Sequence, residues 1–164
     1  MNYHQIANIG ECYTLYKLAQ LGIKAIKVSE LFEFDLLAHN NIRIEVKTAI
    51  MRKTIKRVQR KKGLMTYSWN IWEFCNTAQQ AKSLGNGRVE YKNIKRNRMC
   101  DFFVFVCLDK DYNLIKSYII PKEMVRDRRI IVMGEKEEGN LYNTYKERWD
   151  LIKERSKMSI GNEI

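Results

Sequence analysis

Residues 101–108, DFFVFVCL, restrict the fold more than any other stretch of the chain. They form a continuous apolar run rich in aromatic and β-branched side chains, the pattern of a buried sheet strand. Such a strand needs a core around it. A chain of 164 residues with 45% hydrophobic and 11% aromatic content supplies one, burying roughly 70% of its unfolded surface without disulfide staples. The length favours a single domain over residues 1–164. One proline and eight glycines exclude collagen-like, linker and low-complexity readings.

Elements on either side of the run indicate what surrounds it. Residues 4–21 place Ile6, Ile9, Tyr13 and Tyr16, with Leu15, Leu18 and Leu21, at helical spacing. Gly22 follows where a left-handed C′ residue belongs. Three strand-like runs come next, at 23–28, 34–38 and 42–48, and His39-Asn40-Asn41 separates the last two. Asparagine tolerates the left-handed backbone of tight hairpins. The pattern then loosens. Residues 66–72 predict a strand with Tyr67, Trp69 and Ile71 on one face, and 73–84 predict a short helix. After the apolar run, a polar turn at 109–113 leads to a strand at 114–120 stopped by Pro121. Leu141, Tyr145, Trp149 and Ile152 mark one stripe of a later amphipathic helix. The expected class is α/β: a mixed β-sheet flanked by helices, with an αβββαβ core.

Charge narrows the partners. The chain carries 30 Lys+Arg against 19 Asp+Glu, a formal +11, and such an excess points first to a polyanion. No apolar run reaches the ~18 residues a membrane helix needs, and the N-terminal residues lack a signal-peptide pattern. Cys12, Cys75, Cys100 and Cys107 form no CxxC pair, and His4 and His39 stand alone. Structural zinc is therefore not expected. Reduced, buried thiols in a cytoplasmic, nucleoid-associated protein are.

Most of the chemistry is concentrated in residues 35–47, DLLAHNNIRIEVK. Along 42–48, alternation puts Ile44 and Val46 on one side and Arg43, Glu45 and Lys47 on the other. With a three-residue turn at 39–41, Ala38 pairs with Ile42 and Asp35 falls opposite Glu45. Their Cβ atoms are then ~4.5–5.5 Å apart. Two carboxylates that close call for a cation between them, which suggests a divalent metal. A two-residue turn would put them on opposite faces and destroy the site.

Asp35, Glu45 and Lys47, spaced as Asp-x9-Glu-x-Lys on a hairpin that follows a helix and a strand, resemble the PD-(D/E)XK nuclease superfamily. Phe34 stands where the family name has proline, a position that varies widely. The resemblance covers roughly residues 4–108 and includes the element order. It implies a restriction-endonuclease-like fold and Mg2+ (or Mn2+) held by Asp35, Glu45 and the Val46 carbonyl. It also implies a water-positioning role for Lys47. Gly10-Glu11 looks like the acid many members carry in the first helix. Glu11 lies at i, i+4, i+7 with Leu15 and Leu18, on an otherwise apolar face, where a carboxylate needs a compensating partner.

Plainer readings stand beside these. Glu-x-Lys is cheap in a lysine-rich chain, as Glu90-Tyr91-Lys92 shows. Asp35, Glu45 and Lys47 would also make a solvated salt-bridge face, and Glu11 would complement the helix dipole. Two basic stretches would hold phosphates: Arg52, Lys53, Lys56, Arg57, Arg60, Lys61 and Lys62, then Arg88, Lys92, Lys95, Arg96 and Arg98. A solvated loop is the bland reading of the first. For Tyr67, Trp69 and Trp72, strand packing is the leading reading and base stacking the alternative. Together these features predict an Mg2+-dependent DNA endonuclease of restriction, homing or junction-resolving type, acting as a homodimer or higher even oligomer. A non-catalytic nucleic-acid binder with a degenerate site is the competing class, and an RNA-directed protein a weaker one.

Overall fold

The computed structural model describes the chain apart from residues 1, 30, 61–62, 76–77, 86–87, 95–98, 129, 137–139 and 159–164; side chains at 58, 60, 63, 78–85, 88–94 and 158 are also outside the description. In chain order the elements are α1 (Tyr3–Gln20), β1 (Ala25–Lys27), β2 (Leu36–Ala38), β3 (Ile42–Ile50), β4 (Arg52–Arg60) and β5 (Gly63–Cys75). There follow β6 (Ala78–Gly85), β7 (Arg88–Ile94), β8 (Phe102–Leu108), β9 (Leu114–Pro121), β10 (Ile130–Gly134) and α2 (Asp150–Met158).

The apolar run is β8, and each of its residues is buried. It lies between β3 and β9 in a five-stranded sheet of order β1-β2-β3-β8-β9. The β3–β8 pair is parallel and the other three pairs are antiparallel. Alternation along β8 explains why every residue is apolar. Phe102, Val104, Val106 and Leu108 pack with Leu18 of α1 and with Trp149 and Ile152 at α2. Phe103, Phe105 and Cys107 pack with Trp72 and Phe74 of β5 and with Ile131 and Met133 of β10. The Phe74 ring stands edge-on to Phe105 at 4.9 Å, and the Trp72 indole N–H donates to the Leu108 carbonyl at 2.7 Å. Each such buried aromatic contributes about 1.5–3 kcal/mol.

The mixed α/β sheet is as expected, but its cover is not. Both helices lie on one face, and a second sheet of order β10-β5-β4 covers the other. The helix expected at 73–84 is replaced by the end of β5 and by β6, which pairs with β7. Period-two burial of Trp72 and Phe74 against β8 overrides the weak helical pattern there. No second helix therefore stands between β3 and β8 among the described residues. Residues 52–60 also form a regular strand, β4, rather than a loop.

The late amphipathic helix is shorter than its stripe. Leu141 is exposed, Tyr145 sits in a 3-10 turn (Asn143–Tyr145), and α2 starts only at Asp150. Glu147 interrupts the stripe at φ 53°, where its carboxylate accepts from the Ser117 N–H (2.6 Å), the Ser117 hydroxyl (2.8 Å) and the Trp149 indole (3.1 Å). A tertiary clasp on β9 thus replaces a turn of helix.

Local signals fix the elements that carry the candidate site. Asn2 caps α1, its side chain accepting from the Gln5 N–H while the Gln5 side chain accepts from the Asn2 N–H, each at 2.9 Å. At the other end Gly22, at φ 75°, completes a Schellman motif: its N–H donates to the Ala19 carbonyl and that of Ile23 to Leu18. Asn40 and Asn41 both take left-handed φ (61° and 59°), so Ala38 pairs with Ile42 across a three-residue turn. Gly10 sets the distance between helix and sheet. A Cβ there would stand 1.9 Å from the Thr48 hydroxyl of β3. Only glycine lets α1 lie this close to β3.

Candidate functional site

The register fixes the first two carboxylates. Leu36 pairs with Ile44, so Asp35 lies across from Glu45. Asp35 is held further by its own N–H, which donates to the Ile44 carbonyl at 3.0 Å, and by the Val46 N–H, which donates to its Oδ2 at 2.6 Å. Burial raises the Asp35 carboxyl to about 6, with the Glu45 charge adding to the shift; the Val46 hydrogen bond and Lys47 oppose it. Glu45 is 7% exposed. Its Oε1 is ion-paired with the Lys47 ammonium two residues on, as side chains at i and i+2 of one strand face allow.

Glu11 reaches the same place from α1. A groove of about 260 Å³ is lined by Glu11, Asp35, Glu45, Val46, Lys47 and Thr48, with Phe74 and Cys75 of β5 on its rim. The partner of Glu11 is a lysine from another element. The Lys27 ammonium of β1 lies 2.6 Å from its Oε2 and donates to Asn8 Oδ1 at 3.2 Å. Lys27 is on a three-residue strand, too short for alternation to show which way it faces. Only the fold of α1 against β1 brings the pair together.

The donor chemistry suits a hard cation. No three Asp, Glu, His or Cys side chains converge as a ready cage among the described residues. Mg2+, however, is commonly held by one or two carboxylates and keeps several waters. Asp35 and Glu45 would be those carboxylates. The Val46 carbonyl points the same way as its N–H, toward Asp35, because both groups of a strand residue project to one side. The Asp35 carboxyl is raised first by its burial and then by the neighbouring Glu45 charge, both of which a cation between the carboxylates would offset.

The basic residues divide by position. Arg52, Lys53, Lys56 and Arg57 are exposed on β4, with Arg52 ion-paired to Glu73 of β5. β4 and β5 form a continuous ribbon from the Arg52–Ile71 pair to the Arg60–Gly63 pair. Arg60 is on β4, and Arg88 and Lys92 are on β7, with their side chains outside the description. Lys61, Lys62, Lys95, Arg96 and Arg98 lie outside the described residues. Of the three aromatic residues assigned to strand packing, only Trp72 is buried; Tyr67 and Trp69 are 38% and 41% exposed. The thiols split likewise, with Cys100 and Cys107 buried and Cys12 and Cys75 exposed. No helix among the described residues is long and apolar enough to cross a membrane.

No protein-family model matches the sequence, and no curated protein matches it. Among solved structures, the fold is similar to that of a bacterial homing endonuclease, I-Ssp6803I, at a TM-score of 0.58 and 13% identity. The match covers 100% of this chain and 100% of that one. At this identity the likeness is one of fold.

Proposed function

We propose that this protein is a metal-dependent DNA endonuclease that hydrolyses phosphodiester bonds in the groove between α1 and β3. The observation that carries the reading is the juxtaposition of Asp35 and Glu45 in register, with Lys47 on the same strand face and Glu11 across the groove. The fold shared with a homing endonuclease and the exposed basic β4–β5 ribbon support it.

Each residue has a distinct part. Asp35, Glu45 and the Val46 carbonyl would hold Mg2+, with Mn2+ as a substitute; when bound, the ion supplies Lewis acidity at the phosphate and acidifies a water. Lys47, a compact point charge, donates to the attacking water or to a non-bridging phosphate oxygen and stabilises the charge that develops there. Glu11 orients groups on the far wall. The basic ribbon holds the phosphate backbone, in the manner of two-stranded ribbons that enter a major groove. One groove cuts one strand, so double-strand cleavage is best served by two grooves, as in a homodimer or higher even oligomer. The fold neighbour favours a homing role over restriction or junction resolution, acting on nucleoid DNA.

A second reading has its own observation. Glu45 and Glu11 are each already paired with a lysine, as in a non-catalytic nucleic-acid binder. Supercoiled plasmid and branched DNA incubated with Mg2+ separate the two. Nicking by wild type, falling about 10²–10³-fold in Lys47→Ala and further in Glu45→Ala, is the expected result. Binding without nicking by wild type identifies the non-catalytic protein.

A further inference from the structure

A second groove, of about 490 Å³, opens on the outer face of the β10-β5-β4 sheet and shares no lining residue with the Asp35–Glu45 groove. Its apolar surface comes from Trp69 of β5, Ile130 and Val132 of β10, and Leu141, all substantially exposed. Single exposed apolar residues are ordinary, but four that converge on one concavity mark a binding surface. Cations frame it. Arg126, Arg128 and Lys136 line the groove, and among its described lining residues the one carboxylate is that of Glu135, whose Oε2 accepts from the Asn70 side chain at 2.9 Å. A ligand that satisfies both features has a flat apolar body and an anionic group.

The position of the groove narrows that ligand further. Trp69, Ile71, Glu73 and Cys75 lie on one face of β5, and Cys75 is on the rim of the Asp35–Glu45 groove. On β10, Val132 stands opposite Glu73 and Ile130 opposite Cys75, so these two exposed apolar residues lie on β10 in the direction of the candidate active site, beside the Arg52–Glu73 ion pair. The six steps from Trp69 to Cys75 span about 20 Å, or roughly six nucleotides of a stacked strand. A base within a duplex has both faces covered and cannot reach an indole. An unpaired or extruded base can.

We infer that this groove holds an unpaired nucleotide of the substrate strand, its base on the Trp69 indole and its phosphates on Arg126, Arg128 and Lys136. The inference rests on the nucleic-acid reading above and assigns the substrate class: DNA with an unpaired or extrudable base a few nucleotides from the cleaved bond.

Intrinsic fluorescence tests it, because Trp72 and Trp149 are buried and Trp69 is the exposed indole. The protein, in EDTA so that nothing is cut, is titrated with a ten-residue oligothymidylate and with a blunt 20-base-pair duplex. Saturable quenching by the oligonucleotide, exceeding that by the duplex, is expected. Its affinity should fall roughly tenfold in Trp69→Leu and in Val132→Glu, stay within about threefold in Trp69→Phe, and duplex affinity should hold within twofold. Equal quenching by both ligands, or unchanged oligonucleotide affinity in Trp69→Leu and Val132→Glu, overturns the inference. So does a change of sedimentation in Trp69→Leu with oligonucleotide affinity intact, which assigns the face to a second copy. The readout is independent of cleavage. A protein that never nicks DNA but binds through Trp69 keeps the groove and loses the nuclease reading; a nuclease whose variants bind normally does the reverse.

Discussion

Asp35 is where the proposed chemistry and the stability of this protein oppose each other. Its carboxyl is raised to about 6 by burial and by Glu45. In the unfolded chain it would titrate near the ordinary value of about 3.9. Between these values the folded state binds the proton more tightly, so stability falls as pH rises from about 4 to about 6, and the full penalty is present above that. Asp35→Asn should therefore raise the melting temperature of the metal-free protein by a few degrees at pH 7.5 and by much less at pH 4. A variant destabilised equally at both values would mean the carboxyl is not under strain. Gly10 sets a second constraint at the residue scale. Gly10→Ala drives a methyl into the Thr48 hydroxyl and should cost about 1–3 kcal/mol. Because that hydroxyl is buried without a hydrogen-bond partner among the described residues, Gly10→Ala/Thr48→Ala should recover most of the loss in thermal melts. Failure of the double variant to recover would place the conflict elsewhere.

At the scale of elements, what the sequence revealed depended on how local the signal was. The 39–41 turn has two asparagines that accept left-handed backbone, so the pairing that sets Asp35 across from Glu45 was readable before the fold was known. Gly22 and the polar turn before β9 were equally local, the latter tied by Asp109 Oδ1 accepting from the N–H groups of Asp111 and Asn113 at 2.8 Å. The Asn2–Gln5 capping box is equally local, its two residues three apart in the sequence. The ribbon was not legible, because charge masks strand periodicity: β4 alternates Lys53, Ile55 and Arg57 with Arg52, Thr54 and Lys56, and neither face is apolar. Its strand character comes from pairing with β5, whose Trp72 and Phe74 are anchored on β8. The Glu11–Lys27 pair was hidden for a similar reason, since it depends on how α1 lies against β1. If the ribbon contacts phosphates, replacing Lys53, Lys56 and Arg57 by glutamine should lower the slope of log affinity against log salt by about 2–3, at ~0.9 per phosphate. An unchanged slope in filter binding would remove the ribbon from the interface.

For the whole molecule, the formal charge of +11 is unevenly used. Asp35, Glu45 and Glu11 face one groove between α1 and β3, while β4 carries exposed cations on a strand that continues directly from β3. That separation places acids where a cation would sit and bases where a polyanion would lie. It also gives the parallel β3–β8 pair its place: β8 anchors both layers, and β3 carries Glu45, Val46 and Lys47 beside it. Metal binding in this groove is what separates a nuclease from a non-catalytic binder. Calorimetric titration of Mn2+ into the protein at pH 7.5 tests that most directly, with Glu90→Gln, in the other Glu-x-Lys triplet, as the control. The prediction is one Mn2+ per chain in wild type and in Glu90→Gln, with binding lost in both Asp35→Asn and Glu45→Gln. Unchanged stoichiometry and affinity in Asp35→Asn and Glu45→Gln, or no binding by wild type, would contradict it.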